Sequence, residues 1–69
     1  MNKPRLKPVR AGQTWFVVLP QGVAVTCVSI DEVTPRTVAL RREADLGSGT
    51  ELLATRWVRS EVRWVERIP

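Results

Sequence analysis

Histidine and tyrosine are absent from this 69-residue chain, and cysteine occurs once. Without histidine the chain lacks the side chain that most often exchanges protons near neutral pH. A single cysteine, Cys27, excludes an internal disulfide and any site built from several cysteines. No histidine is present to activate that thiol as a nucleophile. Within the apolar run "VAVTCVSI" it reads as a small buried hydrophobe, the alternative being a reactive thiol. No apolar run approaches the ~20 residues of a membrane-spanning helix, and no apolar segment follows the basic start as a signal peptide requires. The chain therefore reads as soluble and cytoplasmic, with no membrane partner. The Gly-x-x-x-x-Gly-Lys-Ser/Thr pattern is also missing, so "DLGSG" is not a phosphate loop. The adjacent carboxylates Asp31 and Glu32 read as a solvated turn rather than a cation site. No metal, cofactor or enzymatic activity is expected. Catalysis would require an oligomer to assemble a site at its symmetry axis.

What is present is an unevenly placed positive charge. The net charge is +4. Residues 11–69 hold seven arginines and seven acids, which cancel, so the whole excess lies in "MNKPRLKPVR", on Lys3, Arg5, Lys7 and Arg10. Pro4 and Pro8 remove backbone donors and restrict the residues before them. Residues 1–11 are thus expected to form a flexible basic arm and residues 12–69 one small domain. The arm is open to two readings: a segment that follows phosphates, or a solvated terminus that contacts nothing.

The remainder is punctuated for strands. "TWFVVL" (14–19) and "VAVTCVSI" (23–30) are rich in β-branched and aromatic residues and flank Pro20-Gln21-Gly22, which suggests a hairpin. Pro35 marks a further turn before a third strand, "TVALRR" (37–42). "EADLGSG", with Gly47 and Gly49, reads as the most flexible loop. A fourth strand follows in "TELLATRWVR".

The C-terminal stretch "ATRWVRSEVRWVERIP" fits two periods. Spacings of three, four and four place Arg56, Arg59, Arg63 and Arg67 along one side of a helix. Alternation places Val58, Val62, Trp64 and Ile68 on one face of strands. Residue type favours strand–turn–strand with a break at Ser60-Glu61, because six of the thirteen residues 56–68 are Val, Ile or Trp. The helix remains the alternative.

Five short strands, a flexible loop and a tight turn before the last strand resemble the SH3-like small β-barrels. The resemblance implies an all-β fold: a single five-stranded SH3-like small barrel with a mobile basic N-terminal tail. The segment "VERI" (Val65 to Ile68) is similar to the Leu-Glu-Arg-Ile ending of the plasmid-encoded type II dihydrofolate reductases, which are SH3-like barrels assembled as tetramers. The Val-Gln-Ile-Tyr segment lining the pore of those enzymes has no counterpart here, so no active-site residue carries over. The motif-poor character is similar to that of small accessory proteins of phages and mobile elements.

A domain this small has little stability in reserve, so a homo-oligomer is a further expectation. It also has difficulty burying three tryptophans, each of which needs a partner for its indole N–H. Trp15 reads as core. Trp57 and Trp64 either close the ends of the barrel or reach the surface among arginines. A surface tryptophan stacks nucleobases or anchors protein partners. The leading expectation is a non-enzymatic module that contacts nucleic acid without strong sequence preference through Lys3, Arg5, Lys7, Arg10, Arg59, Arg63 and Arg67. The alternative is a protein-interaction module, an inhibitor or adaptor of a larger host complex, acting through Trp57, Trp64, Arg41 and Arg42.

Overall fold

A computed structural model describes residues 8–45 and 47–69. They form one antiparallel sheet of five strands: β1 (Thr14–Val18), β2 (Thr26–Val33), β3 (Thr37–Asp45), β4 (Thr50–Val58) and β5 (Arg63–Ile68), in the spatial order β4-β3-β2-β1-β5. The all-β expectation holds. The C-terminal stretch is strand–turn–strand rather than helix, broken by a single 3-10 turn, Arg59–Glu61. Among the described residues no helix is long and apolar enough to cross a membrane.

Period-2 alternation explains the core. Trp15, Val17, Val28, Ile30, Val38 and Leu40 point to one face of β1–β3, where Val9 and Val62 join them from outside the strands. Partly buried Leu19, Val33, Trp57 and Trp64 ring this cluster. Trp15 and Trp64 meet edge to face, with ring centroids 5.5 Å apart at 77°, a geometry favoured by the ring quadrupoles. Gln13 ties down the entry to β1. Its Oε1 accepts from the Trp15 indole N–H (2.9 Å) and from the Arg10 backbone N–H (2.9 Å). Of the expected basic arm, residues 1–7 lie outside the described residues, whereas Val9 is only 4% exposed within the core.

The turns follow from their residues. Pro20 supplies the fixed φ of a turn closed by the Gly22 N–H donating to the Leu19 carbonyl (2.9 Å). Between β2 and β3, Thr34 Oγ1 accepts the backbone N–H groups of Arg36 (3.3 Å) and Thr37 (2.9 Å), a side chain substituting for ladder bonds.

Three local expectations are corrected. The second strand starts at Thr26 instead of Val23 and runs through Asp31 and Glu32, which are strand residues and not a turn. A bulge allows this: Ile30 faces Leu40 and Glu32 faces Ala39, leaving Asp31 as the extra residue. Glu43, Ala44 and Asp45, expected in the flexible loop, extend β3 against Leu52, Glu51 and Thr50. Their polarity is tolerated because this hairpin arm projects beyond the core. Cys27 is exposed rather than buried, since Val28 and Ile30 take the inner parity and leave Cys27 on the outer face opposite Phe16.

The strands flanking the 3-10 turn are not neighbours. β4 and β5 are the two edges of the sheet, and no backbone ladder joins them among the described residues. Four gaps of about 4.8 Å would hold the edges of a flat sheet about 19 Å apart. The 3-10 turn covers about 6 Å, and the two steps beside it add about 3.4 Å each. The connection is too short for a flat sheet, so the sheet is curled.

Candidate binding site

The 3-10 turn Arg59–Glu61 joins the two halves of the C-terminal stretch at one corner. The Arg59 backbone N–H donates to the Arg36 carbonyl (2.8 Å), and the Arg59 carbonyl accepts from the Val62 N–H (3.3 Å) and the Trp64 indole N–H (3.4 Å). Arg59 is thus anchored between the β2–β3 turn and the last strand.

The expected arginine platform is divided. Phe16 faces Glu66 while Val17 faces Trp64, so Val65 is an extra residue and the parity of β5 changes there. Arg63, opposite Val18, lies on the outer face, whereas Arg67, opposite Trp15, lies on the inner side at the rim. Both are exposed, and neither has an acidic partner among the described residues. Lys3, Arg5 and Lys7 lie outside the described residues; Arg10 is exposed beside Gln13.

Two other arginines are committed to the outer face of the sheet. Arg41 Nε donates to both oxygens of Asp31 (2.9 and 3.0 Å). Arg56 pairs with Glu32 (3.0 Å) and donates to Thr37 Oγ1 (3.0 Å). The two carboxylates of β2 thus pair beside the bulge with one arginine of β3 and one of β4. As exposed pairs, each contributes ~0–1 kcal/mol.

Arg42 is different. Its partners in register, Val28 and Leu53, place it on the inner face. Its Nε is buried and has no hydrogen-bond partner among the described residues. A buried donor left unpaired costs ~1–3 kcal/mol, so Arg42 marks a place where an acceptor is wanted. Arg42 also lines a cleft of about 330 Å³ between loop 19–24 and Trp57. Trp57 is half-buried against the core, and its indole N–H donates to Thr55 Oγ1 (2.7 Å), which fixes the ring. Of the four residues expected to meet a protein partner, Arg42 and Trp57 share this cleft; Trp64 packs on Trp15, and Arg41 is on the opposite face.

The loop forming the other wall carries two features that sequence reasoning missed. Val23 is 99% exposed and Val25 is 56% exposed, although both were expected in a strand. Gln21 has φ +65°, the left-handed region that L-residues rarely adopt. It occupies the turn position where glycine is ordinarily required. Unfavourable backbone and exposed aliphatics in one loop are features of binding surfaces. The only local signal was the "PQG" turn itself, in which glycine comes one residue later than the left-handed position.

Among the described residues no group of three or more His, Cys, Asp or Glu could hold a metal ion. Comparison of the chain with models of protein families, with curated proteins and with solved structures finds no match in any of the three.

Proposed function

We propose that this protein is a non-enzymatic binding module, an SH3-like small barrel whose inner-face cleft receives an extended segment of a partner protein. The order β4-β3-β2-β1-β5, the 3-10 turn before the last strand and the curl of the sheet support the barrel reading. One observation carries the binding reading: Arg42, whose Nε is buried and unpaired among the described residues, lines the same cleft as Trp57 and an exposed apolar loop. A carboxylate or peptide carbonyl of the partner accepts from the guanidinium of Arg42, and its apolar side chains cover Val23 and the ring of Trp57. Arginine and tryptophan are the residues most often dominant at such contacts.

The test is capture of a stoichiometric partner that survives nuclease treatment. Val23→Asp and Arg42→Gln should each abolish capture. Val23 is almost wholly exposed, so its substitution leaves folding intact. Retained capture by both variants would overturn the reading.

A second reading is favoured by the charge distribution. All of the excess positive charge lies in residues 1–10, and among the described residues Arg63 and Arg67 are exposed without acidic partners. The arm binds nucleic acid through phosphates, without strong sequence preference. With about four phosphate contacts, log affinity falls against log salt with a slope of about −3.6. Because Val9 belongs to the core, truncation must stop at residue 7. That deletion removes Lys3, Arg5 and Lys7 and should flatten the slope to about −1. Absence of any shift of DNA or RNA at low salt ends this reading.

A further inference from the structure

The two edges of the sheet are unlike. β5 is six residues long, interrupted by the bulge at Val65, charged at Arg63, Glu66 and Arg67, and followed by Pro69. Charges, a bulge and proline are the devices that prevent an edge from pairing with another chain. β4 has few of them. Its nine residues pair with β3 without a register shift, it contains no proline or lysine, and it exposes Leu52 (62%) and Val58 (48%). Its only charges are Glu51 and Arg56, and it is a long, regular edge with neither bulge nor proline.

We propose that β4 pairs with β4 of a second copy of this chain, antiparallel, about a twofold axis at Ala54. This goes beyond the cleft and the basic arm and depends on neither. Three observations support a second copy as the occupant. First, the backbone of β4 is oriented for it. The Arg59 N–H points to the Arg36 carbonyl. Because antiparallel strands alternate, the odd-numbered residues of β4 turn their backbone groups to β3 and the even-numbered ones turn theirs outward. Five residues, Thr50, Leu52, Ala54, Arg56 and Val58, thus present both a donor and an acceptor along the free edge.

Second, the segment is self-complementary. A twofold axis perpendicular to the sheet opposes residues of the same face. Ala54 is the middle of the nine residues, so centring the axis there leaves none unpaired. Thr50 faces Val58, Glu51 faces Trp57, Leu52 faces Arg56 and Leu53 faces Thr55, each pair occurring twice. No like charges meet, and the small Ala54 side chain occupies the axis, where two copies of one residue must fit side by side. Third, the pairing covers the exposed apolar side chains. Leu52 lies against the aliphatic stem of Arg56, and Val58 lies against Thr50. The interface is isologous and closes at two copies, which is the commonest form of small oligomer.

The experiment is sedimentation equilibrium of the full chain over a range of concentrations. The expected species has twice the 7.8 kDa chain mass. Ala54→Lys places two ammonium groups together at the axis and Ala54→Glu places two carboxylates there, so each variant alone should sediment as a monomer. Their equimolar mixture should restore the doubled mass, because each lysine then faces a glutamate. Ala54 is exposed on the outer face, so each variant should remain folded, and circular dichroism of each checks this. Ala54→Pro, which removes an outward N–H, should also give a folded monomer. A wild-type chain that stays monomeric at every concentration overturns the proposal. So does a dimer that persists in either charged variant, or a mixture that remains monomeric.

Discussion

Replacing Arg42 with methionine should stabilise the protein while removing the acceptor-seeking group from its cleft. Methionine nearly matches the arginine stem in length and has no donor to satisfy. Nε of Arg42 is buried without a partner, for which the desolvation cost is ~1–3 kcal/mol. The residue as a whole is only half-buried, so the lower end, about 1 kcal/mol, is the appropriate value. For a chain of 69 residues the unfolding entropy is roughly 0.14 kcal/mol/K, so this gain corresponds to about 7 °C in Tm. Differential scanning calorimetry and urea titration of wild type and Arg42→Met measure it directly. The midpoint should rise with an unchanged urea dependence, because the same surface is exposed on unfolding. The variant should capture no partner, so stability and binding change in opposite directions. A loss of about 1 kcal/mol or more in Arg42→Met would refute the reasoning: it would mean that Nε is satisfied in the folded protein and that Arg42 is a structural residue.

Three further outcomes follow from the packing. Leu40→Ala empties a fully buried position at the centre of β3 and should cost about 3 kcal/mol in urea unfolding, a large share of the stability available to so small a domain; a cost below about 1 kcal/mol would contradict the assigned core. Gln13→Leu removes the acceptor shared by the Trp15 indole and the Arg10 N–H and should cost about 1–3 kcal/mol by the same measurement, chiefly through the buried indole donor. Cys27, exposed on the outer face, should react with an aromatic disulfide reagent in the native protein as fast as in urea; a rate limited by unfolding would show that the thiol is covered.

Local chemistry accounts for what was legible. Pro20-Gln21-Gly22, Thr34-Pro35 and the glycines at 47 and 49 restrict the backbone by themselves. The intervening β-branched runs suit strands in any context, so strand number and the core role of Trp15 follow from sequence. The residue types of 56–68 likewise favoured strand–turn–strand, although their spacing left a helix open. Failure occurred where one residue of register mattered. Taking Val23 as a strand start hid both the exposed loop and the exposure of Cys27. The parity of β5 could not be read across Val65, because a bulge is a property of the pairing with β1 and leaves no mark in β5 alone.

By itself the sequence indicated the all-β class, the turns at Pro20-Gln21-Gly22 and Thr34-Pro35 and an excess of positive charge located in the first ten residues. These depend on residue type and on neighbours a few positions away. Tertiary structure alone decided that the strands joined by the 3-10 turn are opposite edges, that Arg63 and Arg67 face different sides, and that Arg41 is paired while its neighbour Arg42 carries a buried unpaired Nε. Adjacent residues in a strand point to opposite faces. Which face is the interior is set by the strands that pair on either side, and those come from distant parts of the chain.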